Sequence, residues 1–446
     1  MRFASRWDLE PQARGAARKR SPIARESEID HKWPSMSFTP TSAMPDFQNG
    51  YHAGLRVGIL GGGQLARMLA LSAHPLGLVP VALAEGRNTP VGQVVSELVE
   101  GDERDADALS RFLASVQVVA FENEFVDCAR VISAADRIGS VQLPGVRAMQ
   151  ALQDKSKQKE CFLELGISSA DYVLYQSEQT IEAWLREVSE RYPQGAVLKW
   201  GMHGYDGKGL MFFGAGVSFP EATAFVTRGV EKGIRVYAEE RVSFAHELAL
   251  VACRSRSGAF AHYPLVFSKQ HQGICLEVTG PATRFGIPEE VEGRAVAYAE
   301  AISRNKNIVG CFALECFYLP NGALLVNELA PRVHNSGHFT LDAASTSQFE
   351  NHWRALLGIA LGSTNTSPGF VMRNVLGPEG FQSEGKSVCL PRPNEPLHLH
   401  WYGKSEVRAG RKLGHLNARA ESEEELNRLK KECEEVVESW RKEVLR

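Results

Sequence analysis

The chain has 446 residues, enough for two or three domains with cores of their own, and 43% of them are hydrophobic. Its formal net charge of -3 gives no electrostatic footprint for nucleic acid or an anionic membrane, so neither is expected as a partner. No apolar run approaches the roughly 20 residues of a spanning helix, which leads to the expectation of a soluble protein.

Residues 1–53 form an extension with little hydrophobic periodicity. Arg2, Arg6, Arg14, Arg18, Lys19, Arg20 and Arg25 come first, then Pro34, Pro40 and Pro45. Transit peptides are basic in this way, but Asp8, Glu10, Glu26, Glu28 and Asp30 are foreign to them. A disordered tail, or an addition ahead of a start at Met44, accounts for the same residues, and the sequence leaves the three open. The expected location is cytoplasmic, or a plastid or other organelle if the extension is a transit peptide. The eight cysteines form no CxxC pair and no zinc-ligand spacing, so they read as reduced thiols.

Order begins with the apolar strand Leu55 to Leu60, which runs into Gly61-Gly62-Gly63-Gln64 and a helix carrying Leu65, Met68, Leu69 and Leu71. Further strands are expected over Val79–Ala84 and Val116–Phe121, the last ending in Glu122-Asn123-Glu124. Strands alternating with helices predict a doubly wound parallel sheet over 54–150, with ligands at the carboxyl ends of its strands. Gly61-x-Gly63-x-x-Ala66, with Glu85 beyond it, has the spacing of a dinucleotide fingerprint and makes a nicotinamide oxidoreductase one rival reading. That reading requires residues for hydride transfer, and none stands out.

From residue 151 the texture changes. Asp154-Lys155-Ser156-Lys157-Gln158-Lys159 opens a helix that ends at Gly166. The strand Ala196–Trp200 carries Lys199 and leads into Gly201-Met202-His203-Gly204-Tyr205-Asp206-Gly207-Lys208-Gly209, followed by a strand over Leu210–Phe213. Backbone amides in such a loop converge on phosphate oxygens when glycines let them; a flexible hairpin with a surface lysine reads equally well. Strands over Arg235–Glu240 and Glu247–Val251 follow, with Glu239 suited to an adenine amino group or ribose hydroxyls and Glu247 to a ribose or metal. Both could equally be solvated, and His271 reads more simply as a structural loop histidine.

The densest chemistry lies at a hairpin. Pro320-Asn321-Gly322 is a turn signal between the strands Ala313–Leu319 and Ala323–Val326. It brings Glu315 near Glu328, and paired carboxylates are what a hard cation sharing its ligands with phosphates requires. Two water-facing glutamates are the plain alternative. The run Asn327-Glu328-Leu329-Ala330-Pro331-Arg332-Val333-His334-Asn335-Ser336-Gly337-His338 speaks against it, because a simple hairpin has no use for such a concentration of polar groups. Downstream, Lys404, Arg408, Arg411, Lys412 and His415 suit a phosphate, or a solvated basic surface. A final helix opens with a capping box at Ser422 and Glu425 and carries Leu426, Leu429, Cys433, Val436, Trp440 and Val444 on one stripe.

Taken in order, these pieces resemble the ATP-grasp enzymes. In detail they resemble the 5-(carboxyamino)imidazole ribonucleotide synthase family of purine biosynthesis, from about Leu55 to about Asn417. The most specific matches are Asn327 to His338, Gly204 to Gly209, and His400-Trp401-Tyr402 through Gly410 to His415. The resemblance implies a mixed α/β and α+β architecture. Its parts would be an N-terminal domain over 54–150, an ATP-grasp region over 151–370 with a lobe at about 170–235, and a small β-rich domain over 371–446.

It also implies carboxylation of 5-aminoimidazole ribonucleotide with bicarbonate and ATP, through carboxyphosphate, with magnesium or manganese as cofactor. By the match, Lys155 and Lys199 hold ATP phosphates, helped by Gly204, Gly207 and Gly209. Glu239, Val242, Glu247 and His271 surround the adenosine. Glu315 and Glu328 carry the metal beside Asn327, and Arg332 and Asn335 meet the carboxyphosphate. Tyr205, Asp206 and Lys208 lie at the imidazole, with Asp206 orienting or deprotonating the amine. Lys404, Arg411 and Lys412 grip the 5′-phosphate, while Gln64 with Glu122, Glu124 or both closes the site. His203 and Ala409 depart from common family residues without removing a charged ligand. A homodimer is implied, and a separate mutase for the next step, since the chain stops at Arg446. A formate-using glycinamide ribonucleotide enzyme and a non-catalytic nucleotide-binding protein are the remaining rivals.

Overall fold

A computed structural model describes residues 50–202, 204, 209–214, 216–383 and 388–446. Its first sheet is parallel, with strands in the order Glu97–Glu100, Val79–Ala84, Arg56–Leu60, Val118–Phe121. The expected strands are present. The edge strand Glu97–Glu100 escapes sequence reading because its two middle residues are only half-buried between exposed acids. The central strands are buried on both faces, so their apolar runs are continuous and not alternating.

The second sheet is antiparallel, in the order Tyr172–Leu174, Val236–Glu240, Ala196–Trp200, Leu210–Phe213. Helices Ile181–Arg191 and Phe219–Glu231 cover it through Trp184, Leu185, Val188, Phe225 and Val226. A nine-stranded sheet forms the rest. It runs through Leu324–Ala330, Gly310–Tyr318, His246–Arg254, Val266–His271 and Ile274–Gly280 into the three C-terminal strands Gly369–Leu376, Lys412–Ala420 and His398–Trp401, and its ninth strand, Phe260–His262, pairs with His246–Arg254 off this path. The C-terminal strands thus extend the sheet that bears the acidic hairpin. The last helix, Glu423–Val444, is capped by Ser422 as expected and buries Leu426, Leu429, Cys433, Val437 and Trp440. Among the described residues no helix is long and apolar enough to cross a membrane, and all eight cysteines are free.

Histidines fasten the C-terminal strands to the hairpin's exit loop. His400 Nε2 lies 2.7 Å from an Asp342 carboxylate oxygen, and His415 faces His400 in register across the strands. Tyr402 OH meets His415 Nδ1 at 2.8 Å, and Asn417 Nδ2 donates to the His338 carbonyl at 3.0 Å. Burial drives the imidazoles of His338 and His415 well below their ordinary range, and that of His352 down to about 4. His352 Nδ1 also accepts from the Cys311 N–H at 3.0 Å, which requires an unprotonated nitrogen.

These imidazoles take up protons far more readily in the unfolded chain. Stability should be unaffected by them above pH 6.5 and should fall as pH drops below it, by about 3 kcal/mol for His352 alone by pH 4. Urea midpoints at pH 7 and pH 5 test this, and a midpoint that does not fall at pH 5 contradicts the buried neutral histidines.

Candidate active site

The two acids of the hairpin face each other. Glu315 pairs directly with Glu328 across the antiparallel strands, which puts their Cβ atoms about 5 Å apart on one face. One step on, Cys316 pairs with Val326, so the strand carries one extra residue, Asn327. A bulge of this kind re-aims the side chain it inserts; here Asn327 Oδ1 accepts from Lys199 Nζ at 3.1 Å. Gln158 fixes the outer strand beside Glu328. It accepts from Leu329 N–H at 2.8 Å and donates to the Leu329 carbonyl at 2.8 Å and the Leu152 carbonyl at 2.6 Å.

Lys155 forms an ion pair with Glu328. It starts the helix Lys155–Glu164, whose N-cap Asp154 accepts from Ser156 N–H at 2.9 Å. The Lys155 N–H donates to the Gly201 carbonyl at 2.7 Å, bolting the helix to the head of the glycine loop. Burial, then the charge of Glu328, pushes the Glu315 carboxyl up to about 8. The acid pair is therefore short of positive charge even with Lys155 beside it, which is the property a divalent cation satisfies. Among the described residues no cluster of three or more His, Cys, Asp or Glu is arranged to hold a metal. Two carboxylates completed by phosphate oxygens suit magnesium better than an all-protein cage does.

Deeper in, Glu239 lies between two ammonium groups. Lys199 pairs with one oxygen, and Lys159 Nζ stands 2.8 Å from the other. The expected adenosine ligand is thus a buried carboxylate already engaged by lysines. Burial alone would raise it, but Lys199 and Lys159 together hold it below the usual carboxylate range. Val242 is half-buried in the link after the strand Val236–Glu240. Glu247 is half-buried opposite Phe317, its carboxyl raised to about 7 by burial. His271 ends its strand exposed.

The N-terminal domain contributes two acids in different ways. Glu122 caps the helix Gln64–Ala73: its carboxylate accepts from Gly63 N–H at 2.8 Å, and a Cβ on Gly63 would overlap it. Burial raises this carboxyl, against the backbone amides and the charges of Arg332 and Lys404. Gln64 sits half-buried at the first position of that helix. Glu124 instead takes both arms of Arg332, at 2.5 Å and 2.9 Å. The two residues form a bidentate clamp across the domains, and the Arg332 charge outweighs burial to lower the Glu124 carboxyl.

The loop after Arg332 is ordered by Gln348, which accepts from His334 N–H at 2.9 Å and donates to the His334 carbonyl at 2.7 Å. His334 Nδ1 faces the Ser336 N–H at 3.3 Å, so the neutral ring carries its proton on Nε2, 3.3 Å from Glu315. Asn335 turns its amide to Asn374, donating at 3.1 Å and accepting at 2.8 Å. This amide pair holds the loop to the C-terminal strand.

From that domain, Gln93 receives the Gly403 carbonyl, donating to it at 2.5 Å, and Lys404 lies 5.8 Å from the centre of the Tyr402 ring. Arg411 donates to the Glu406 carbonyl at 3.1 Å. The charge of Lys404 reaches Glu122, and that of Lys412 reaches both Glu315 and His334. These two lysines therefore border the space between Glu122 and the acidic hairpin, with Arg411 next to Lys412 in the chain.

Residues 55–153 match the ribonucleotide synthetase preATP-grasp domain, 160–349 the ATP-grasp domain, and 371–429 the phosphoribosylaminoimidazole carboxylase C-terminal domain. The N5-carboxyaminoimidazole ribonucleotide synthase of Brucella melitensis is 36% identical over 365 residues, or 81% of this chain and 96% of that protein. The chain belongs to the N5-carboxyaminoimidazole ribonucleotide synthase family. A solved N5-carboxyaminoimidazole ribonucleotide synthetase from Thermus thermophilus is 35% identical with a TM-score of 0.72, covering 85% of this chain and 98% of that one. The Aspergillus clavatus synthase in complex with ADP and 5-aminoimidazole ribonucleotide is 26% identical with a TM-score of 0.74, covering 87% and 99%.

Within this synthase family's frame, the structure brings Lys155, Lys199, Glu239, Asn327, Glu328 and Glu315 into one connected cluster, with the Glu124–Arg332 pair within reach of the Lys155 and Glu328 charges. His203, Tyr205, Asp206, Gly207 and Lys208 lie outside the described residues, as do 1–49. Gly204 and Gly209 are described, and Gly209 has the positive φ of 69° that glycine adopts without strain. Sequence reading missed Lys159, Gln158, Gln348 and Asn374. Lys159 carried a signal: it lies four residues after Lys155, on the same helix face. The others had none, because their partners are distant in the chain.

Proposed function

We infer that the chain carries out the reaction of its family, the ATP-dependent carboxylation of 5-aminoimidazole ribonucleotide to the N5-carboxyamino product in purine biosynthesis. Bicarbonate supplies the carboxyl group. Its oxygen attacks the γ-phosphorus, ADP leaves, and carboxyphosphate forms. The exocyclic amine then takes the carboxyl carbon, directly or as released carbon dioxide, while phosphate leaves and the amine loses a proton. The observation that carries this reading is the facing pair Glu315 and Glu328, set where Lys155 and Lys199 converge.

Magnesium, or manganese, held by Glu315 and Glu328 would neutralise phosphoryl charge when bound. The chain's own residues do the rest. Lys155 and Lys199 turn to the phosphates. Arg332, fixed by Glu124, presents its guanidinium where the carboxyl group is transferred. His334 donates toward Glu315 and keeps that carboxylate oriented. Lys404, Arg411 and Lys412 hold the 5′-phosphate, with Gln64 and Glu122 closing the ribose side. Asp206, with Tyr205 and Lys208, would meet the imidazole and its amine, as the sequence resemblance implies.

ADP release, measured with bicarbonate and with or without 5-aminoimidazole ribonucleotide, tests the reading. Release that depends on both supports it; release that depends on formate and ignores both overturns it. Arg411→Ala should raise the KM for the ribonucleotide at least about tenfold, the scale of one lost charged hydrogen bond. A change confined to the KM for ATP contradicts the phosphate role. We also propose a homodimer, and light scattering on the purified protein tests it.

A further inference from the structure

Lys159 is a buried charge with no part in the carboxylation. It sits one helical turn after Lys155, and its side chain is 1% exposed. Its ammonium stands 2.8 Å from Glu239, and among the described residues no other acceptor meets it. Lys199, on the other Glu239 oxygen, is more exposed at 11% and reaches the hairpin through Asn327. The two lysines therefore differ in freedom. On the ATP reading Lys199, the more exposed of the two, would be the one drawn to the phosphates, whereas Lys159 is buried with Glu239 as its only acceptor among the described residues.

Without Lys159, Glu239 would then be a lone carboxylate, 3% exposed, and burial would drive it to take up a proton. The proton changes what it recognises, because an ionised carboxylate only accepts and a carboxylic acid also donates. Adenine presents an amino donor at the edge where guanine presents a carbonyl acceptor. We propose that Lys159 is the fixed counter-ion that keeps Glu239 an acceptor-only carboxylate, and so sets the preference for adenine over guanine nucleotides. This rests on the ATP reading of the site. Lys159 is a positioning residue, acting on the base through Glu239. The other groups facing Glu239 are Lys199 from the neighbouring strand and the neutral Tyr237 on its own strand, while burial lowers the Lys159 ammonium from its ordinary range against the charges of Glu239 and Glu328.

Calorimetric titration of the full chain with ATP and with GTP tests the proposal. K159M should bind ATP about tenfold more weakly and lose about tenfold in its ATP-to-GTP ratio, the scale set by one buried polar group left wrongly paired. Its ATP affinity should recover as pH rises and Glu239 ionises, while that of the unaltered protein stays level, and K159R should restore the preference. Unchanged affinity and ratio in folded K159M overturn the proposal and leave the ATP reading standing. An unaltered protein that binds no ATP defeats that reading itself. If K159M does not fold, E239Q is compared with E239Q/K159M. Equal base preference in the two supports action through Glu239, and a further loss in the pair contradicts it.

Discussion

Glu328→Gln should lower turnover by about a thousandfold while leaving the melting temperature within a few degrees. The substitution keeps the side chain's shape and removes one of the two carboxylates that would hold a divalent cation. Losses of about a hundred- to a thousandfold are usual when one preorganised group facing transition-state charge is removed. The fold should tolerate the change because Glu328 is partly exposed at 27%. Its strand is held independently by Gln158 through Leu329. Neutralising Glu328 also relieves Glu315, whose carboxyl is raised by burial and by that same charge. ADP release at saturating substrates, beside a thermal melt, gives both readouts. Unchanged turnover sinks the cation assignment; a collapsed melt makes Glu328 a structural group.

Glu124→Gln should affect both stability and rate. The carboxylate holds Arg332 through two hydrogen bonds, and the two side chains are only 17% and 14% exposed. Removing one partner of such a pair leaves the guanidinium short of charge in a desolvated place, which costs about 3 kcal/mol. Arg332 also loses the bidentate geometry that aims it, and misplacement of a positioned group costs about a hundredfold in turnover. The KM for ATP should stay level, since Lys155 and Lys199 are untouched. A full turnover number in folded Glu124→Gln would show that Arg332 needs no partner to act. A tenfold rise in the KM for ATP would instead place the pair on the nucleotide side.

The hairpin was legible in the sequence because its contacts are local. The Pro320-Asn321-Gly322 turn puts Glu315 opposite Glu328, and the strand period then decides which side chains share a face. The parallel sheet and the last helix were legible for the same reason, since hydrophobic periodicity and capping residues act over a few positions. The paired acids could be picked out from residue type and spacing, whereas the phosphate roles of Lys155, Lys199 and the basic C-terminal residues came from the resemblance to the family.

The tertiary structure alone decided which of them touch. Glu124 and Arg332 are 208 residues apart, and Gln158 and Leu329 are 171 apart. Such pairs depend on how three sheets dock, and no local propensity carries that information. The same is true of charge. Glu239 reads in sequence as an acid on a strand, and only burial between Lys159 and Lys199 makes it an ionised acceptor in a dry place. Local hydrogen-bonding rules fix a strand's register, but desolvation depends on every element that packs over a group, so it appears only once the chain is folded.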